Sequence, residues 1–246
     1  MLLILMEFLA GQLENSHMMG CREEAKDLGE LFRLDAKAEG QEVAIGGWLS
    51  AEGRATKDAP WFAVRLTRQN AAWAFARGEP FRTIASLELL GALVGVMVLL
   101  PTKLFDRAAG STGLVTFGCA TDNQGNSFLM DRLMTTKYPL GLILIELSHQ
   151  LSQRRAALRA KWVPRLENEE ADALTNADFR HFSKEHRIEV DLDSLPFGVL
   201  PQLLETGETY LKELDTLKAA KAVTWNVAAL KRRKIKGEAL RDTQPW

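Results

Sequence analysis

The chain has 246 residues, 46% of them hydrophobic, and a formal net charge of −1. That length fits one domain with extensions or two small ones, with enough apolar residues for a core, and the charge leaves any nucleic-acid affinity to local patches. Two cysteines, Cys21 and Cys119, with no CxxC or Cys/His grouping, argue against a disulfide framework or a zinc site and for a reducing, intracellular location, nuclear or cytoplasmic.

The first ten residues, MLLILMEFLA, are apolar but too short to span a bilayer, which takes about 20 residues. They lack the basic start of a signal peptide, and they are expected to form a helix docking on a neighbour within an N-terminal helical extension, residues 1–30. From residue 31 the period changes. LFRLDA, VAIGGWL (43–49) and WFAVRL (61–66) read as three strands joined by turn-rich segments, an antiparallel meander. Asp35 sits at the centre of the first strand, where aspartate is depleted. It needs a partner or a metal there, unless it lies at the strand's exposed end.

A helix follows over 83–100, apolar on nearly every side and interrupted by Glu88 alone. At this length it is marginal for a membrane and reads as a buried helix, with no membrane partner implied. A lone carboxylate among apolar neighbours is costly unless paired or metal-bound, whereas on an exposed stripe it would cost nothing. GLVTFGCA (113–120) reads as a buried strand ending in Thr121-Asp122-Asn123. An acid just past the carboxyl end of such a strand is where open α/β sheets place ligand sites. The competing role for Asp122 is an N-cap of the helix expected over 124–134.

Residues 139–158 read as a long helix whose end is basic, with Arg154, Arg155 and Arg159 followed by Lys161. Such a run is a solvated helix end or a surface that tracks phosphates. A fifth strand over 158–163 is stopped by Pro164, and a helix over 167–176 carries Asp172 between the small residues Ala171 and Ala173. Beyond 176 come a short extended piece near 188–191, an amphipathic helix over 201–223 and a basic run, Lys231-Arg232-Arg233-Lys234. The basic run is either a nucleic-acid contact or import patch, or a solubilising tail.

The order strand, strand, strand, helix, strand, helix, strand, helix makes the fourth strand parallel to the first if the crossover is right-handed. Asp35 and Asp122 would then lie side by side, with Glu88 reaching in from the first helix and Asp172 from the last. Four carboxylates in one place cannot all stay ionised without a cation, and oxygen donors suit Mg²⁺ or Mn²⁺. Two such ions about 3.5–4 Å apart would serve phosphodiester hydrolysis.

In LFRLDAKA with IGGW, TIASLELLGAL, TDN and WVPRLENEEADAL, residues 31–176 resemble the ribonuclease H domain of retroelement reverse transcriptases. The resemblance implies a ribonuclease H-like α/β fold, a five-stranded mixed sheet flanked by helices, here with N- and C-terminal helical extensions (1–30 and 177–246). It implies that Asp35, Glu88, Asp122 and Asp172 are catalytic and bind two Mg²⁺ or Mn²⁺ ions, that Asn168 belongs to the same motif, and that the substrate is the RNA strand of an RNA–DNA hybrid. Asn123, Arg154, Arg155, Lys231, Arg232 and Arg233 are the expected nucleic-acid contacts. The alternative is a catalytically inactive nucleic-acid-binding module, a domesticated or degenerate retroelement fragment. A DNA-processing, integrase-like enzyme is disfavoured by the placement of Glu88 on the first helix. The sequence departs from many ribonucleases H in lacking a histidine-bearing loop: only Pro164 to Glu167 joins the last strand to the last helix, and His149, His181 and His186 are expected at the surface. Oligomeric state is not legible.

Overall fold

The computed structural model describes residues 6–7, 9–11, 26–51, 54–76, 78–100, 115–132, 135, 137–207, 209, 212–213 and 216. The chain divides into two compact units, Met1–Leu204 and Glu205–Trp246. In the second, residues 205–207, 209, 212–213 and 216 are helical. The basic residues Lys231, Arg232 and Arg233 lie outside the described residues.

The first unit is built on five strands: β1 (Lys26–Glu39), β2 (Glu42–Leu49), β3 (Trp61–Leu66), β4 (Val115–Thr121) and β5 (Ala156–Trp162). Their order in the sheet is β3-β2-β1-β4-β5. β1, β2 and β3 form the expected antiparallel meander, and β4 and β5 run parallel to β1. The five-stranded mixed sheet flanked by helices, the ribonuclease H-like arrangement that the sequence implies, is the observed one. β1 starts at Lys26, inside the stretch expected to be a helical extension. Helix is present at 6–7 and 9–11, where Met6 and Leu9 are each 58% exposed, and the rest of the expected apolar helix lies outside the described residues.

Four helices matter for the site: α1 (Ile84–Val98), α2 (Gln124–Arg132), α3 (Leu140–Gln153) and α4 (Glu169–Thr175). A turn of 3-10 helix beginning at Pro80 leads into α1, where proline's fixed φ and missing N–H cost nothing. Every residue of α1 from Ser86 to Val96 is buried, so its all-round apolar character is that of a core helix. Among the described residues, Pro80–Val98 is the one helix long and apolar enough to cross a membrane, and it is two-thirds buried inside the fold.

Strand alternation puts α1 and α4 on opposite faces of the sheet. Ile45 and Leu34 meet α1 at Gly91, whereas Gly46 meets α4 at Leu174. Both helices come unusually close. A Cβ on Gly46 would lie 2.8 Å from Leu174 Cβ, and one on Gly95 would lie 2.7 Å from the Phe32 ring. α3 ends at Gln153, earlier than the sequence suggests, because Arg155 takes a left-handed φ of 49° and β5 begins at Ala156.

From residue 177 to 204 the chain packs as part of the first unit. Phe179 and Phe182 pack on Trp61, and Phe182 also on Trp48. The expected extended piece near 188 lies along β3: Ile188 N–H donates to the Trp61 carbonyl at 2.7 Å. Glu146 of α3, fully buried, then accepts from the amides of Gly198, Val199 and Leu200 at 2.8–2.9 Å. Leu200 and Leu203 join the core.

Candidate active site

Asp35 pairs with Gly46 on β2, so its side chain shares the face on which α4 is seated. The close approach at Gly46 brings Thr175 of α4 within reach, and its hydroxyl donates to Asp35 Oδ2 at 2.8 Å. Asp122 follows β4 directly. The parallel register Arg33↔Ala120, carried two residues further along both strands, sets it beside Asp35. Glu88, on the opposite face, reaches past the end of β4. Its Oε2 accepts from Thr121 Oγ1 at 2.7 Å and its Oε1 from Asn123 Nδ2 at 3.2 Å.

The N-cap role expected to compete for Asp122 is taken by Asn123, whose Oδ1 accepts from the Asn126 amide at 3.1 Å. This leaves the Asp122 carboxylate for other work. Trp162 fixes the backbone there, donating from its indole nitrogen to the Asp122 carbonyl at 3.0 Å. The fourth acid, Asp172, is a turn before Thr175 on α4. It accepts from Arg165 Nη2 at 2.5 Å through Oδ1 and from Asn176 Nδ2 at 2.9 Å through Oδ2.

Asp35, Glu88, Asp122 and Asp172, with Arg165 and Asn176, line one cleft of about 220 Å³. Burial raises three of the acids. Asp35 is pushed up to about 7, chiefly by desolvation and further by the charges of Asp122 and Asp172, against the Thr175 hydroxyl, which lowers it. Glu88 is likewise pushed up to about 7 by desolvation, with Thr121 and Asn123 opposing and Asp122 and Asp35 adding. Asp122, half-buried, is raised by desolvation, and the nearby Arg165 works against that shift. Their mutual repulsion marks one electrostatic site.

Among the described residues, no three histidine, cysteine or acidic side chains come close enough to form a ready-made metal cluster. Three of the carboxylates are held by separate partners: Asp35 by Thr175, Glu88 by Thr121 and Asn123, and Asp172 by Arg165 and Asn176. The donor set itself, all carboxylate oxygen, fits a hard divalent cation.

The remaining expected contacts divide. Asn123 is at the cleft. Asn168 is buried and serves as a fastener, donating from Nδ2 to the Leu34 carbonyl at 2.9 Å. Arg154 and Arg155 are not brought to the acids. They precede β5 at the end of the sheet where β4 begins, seven residues from Asp122 along β4, or about 20 Å at strand rise. Arg154 is engaged with its own helix, donating to Gln150 O and Oε1 at 3.0 and 2.7 Å. His181 and His186 are exposed as expected, but His149 is half-buried.

Sequence reading missed Thr121, Thr175, Asn176 and Arg165. Thr175 and Asn176 follow Asp172 at i+3 and i+4, a spacing that shares one helix face and could have flagged them. Arg165 is the one cation in the short segment noted for having no histidine.

The chain matches no family model and no curated protein. Among solved structures it is similar to the RNase H1 of the halophilic archaeon Halobacterium salinarum NRC-1, at 18% identity and a TM-score of 0.39 over 62% of this chain and 97% of that one. The N-terminal RNase H domain of a Mycobacterium tuberculosis protein gives 19% identity and a TM-score of 0.38, covering 63% and 94%. An RNase H1 isolated from compost by a metagenomic approach gives 17% and 0.42, covering 60% and 92%.

Proposed function

We propose that this chain is a divalent-metal-dependent endonuclease that hydrolyses the RNA strand of RNA–DNA hybrids. The observation that carries the reading is the convergence of Asp35, Glu88, Asp122 and Asp172, distant in sequence, on one cleft. Their carboxylates would hold the cation, Mg²⁺ or Mn²⁺, which when bound supplies Lewis acidity toward the phosphodiester. The chain's own groups do the rest. Thr175 and Thr121 orient Asp35 and Glu88, Asn123 holds the second oxygen of Glu88, and Asn126, through its bond to Asn123, fixes that amide. The hybrid substrate and the retroelement kinship rest on the motifs LFRLDAKA, TIASLELLGAL, TDN and WVPRLENEEADAL. Recognition of such a hybrid would use backbone shape and 2′-hydroxyls.

A second reading, a nucleic-acid-binding module without catalysis, is favoured by one observation: Arg165 already occupies Asp172. A labelled substrate panel separates the two. RNA–DNA hybrid, double-stranded DNA and double-stranded RNA are incubated with Mg²⁺, Mn²⁺ or chelator. The nuclease reading expects cleavage of the hybrid's RNA strand alone, lost with chelator. Metal-independent, salt-sensitive hybrid binding without any cleavage would instead select the binding module.

A further inference from the structure

Arg165 combines a fixed backbone with an exposed head group. Pro164 precedes it, the Glu167 amide closes a 3-10 turn on the Pro164 carbonyl at 2.8 Å, and the Arg33 guanidinium fastens the Glu167 carbonyl to β1. Its side chain is nevertheless 74% exposed, and it meets Asp172 at 2.5 Å on the wall of the cleft. The other oxygen of Asp172 is taken by Asn176. Among the described residues, Asp172 is therefore the one of the four acids with a full counter-charge already on it, in a cleft where no three such donors come together. The Arg165 charge also acts on Asp122 and Asp35.

We propose that Arg165 is the positioning residue that sets the cleft's affinity for a divalent cation: its guanidinium holds Asp172 in the cation-free protein and must leave that carboxylate before Asp172 can join the other acids around a cation. The proposal rests on the reading of the cleft as a cation site. A pair whose arginine is exposed, as here, is weak enough to open, because water screens the guanidinium and its long side chain regains rotamer freedom on release. A buried pair could not serve in this way, since parting it would strand a charge.

The test is titration of the full chain with Mn²⁺ by calorimetry, in the wild type, Arg165→Ala and Arg165→Lys, and in the Asp172→Asn background. Arg165→Ala removes both the competitor and its repulsion of the incoming cation, so Mn²⁺ is expected to bind about three- to tenfold more tightly. Arg165→Lys, which keeps the charge, falls between. In Asp172→Asn the effect of Arg165→Ala shrinks below about twofold, because the pair is already broken. A readout independent of affinity is the Arg165 Nε–H resonance, which is expected to shift as Mg²⁺ is added. Equal or weaker Mn²⁺ binding by Arg165→Ala, or a resonance indifferent to Mg²⁺, overturns the role of Arg165 while leaving the cleft a cation site. Absence of Mn²⁺ binding in every variant overturns the cation reading and this proposal with it.

Discussion

Asp35 and Glu88 are the two residues whose chemistry departs furthest from that of free side chains. Both are pushed up to about 7, from ordinary values of 3.8 and 4.5, by burial that disfavours the charged form. The folded state therefore holds these protons more tightly than the unfolded chain does. The stability this contributes is complete below about pH 4 and is lost as pH rises through about 7. Without added metal, the wild type is expected to melt at a lower temperature at pH 8 than at pH 5. Asp35→Asn and Glu88→Gln should flatten that slope and stabilise the protein at pH 8 on the order of 1–3 kcal/mol each. Thermal unfolding at the two pH values checks this, and a wild type more stable at pH 8 would contradict the assigned burial. Mg²⁺ at pH 8 should raise the melting temperature of the wild type and not that of the double variant, by mass action on the folded state. The unusual protonation of these acids was half legible beforehand. An aspartate amid strand residues and a glutamate alone in an apolar helix are each costly unless compensated, which is what singled them out. The compensating hydroxyls of Thr175 and Thr121 carried no such flag, because threonine is ordinary in both settings.

At the scale of elements, the site depends on how closely α4 seats on the sheet. Gly46 provides that closeness, since any Cβ there would meet Leu174 Cβ at 2.8 Å, an atom bonded directly to the helix backbone rather than a flexible tip. Gly46→Ala is expected to lift α4, costing about 1–3 kcal/mol of stability. It would also lengthen the Thr175–Asp35 bond and weaken cation binding. Denaturant unfolding with Mn²⁺ titration would show both losses, and a variant with wild-type affinity would mean that α4 does not position the site. Gly95→Ala, which strikes the Phe32 ring on the other face at 2.7 Å, should destabilise comparably by displacing α1 and with it Glu88. The strands and helices themselves were readable from period and turn chemistry. The places where they were not follow from single residues. α3 stops early at the left-handed Arg155, a conformation nothing in the basic run Arg154-Arg155 announces, and that stop moves both arginines to the sheet end away from the acids.

For the whole molecule, the stretch that sequence alone could not explain is the one after Asn176. Up to Leu204 it is part of the first unit's packing. Aromatic residues cover Trp61, an added edge contact lies along β3, and the buried Glu146 carboxylate gathers three successive amides. Glu146 lies on α3, some fifty residues upstream of the amides it receives, so pattern reading could not pair them. Glu146→Ala leaves the buried Leu200 amide, and the part-buried amides of Gly198 and Val199, without their acceptor and is expected to cost on the order of 1–3 kcal/mol. Chemical denaturation measures this, and a loss under about 0.5 kcal/mol would show that the segment is not anchored there. Four acids brought to one cleft from both faces of the sheet should work together, and hybrid cleavage by the wild type beside Asp35→Asn, Glu88→Gln, Asp122→Asn and Asp172→Asn checks this. Groups acting as one unit are expected to fail together, each substitution lowering cleavage by about 100-fold or more. Cleavage by Asp122→Asn at the wild-type rate would contradict it.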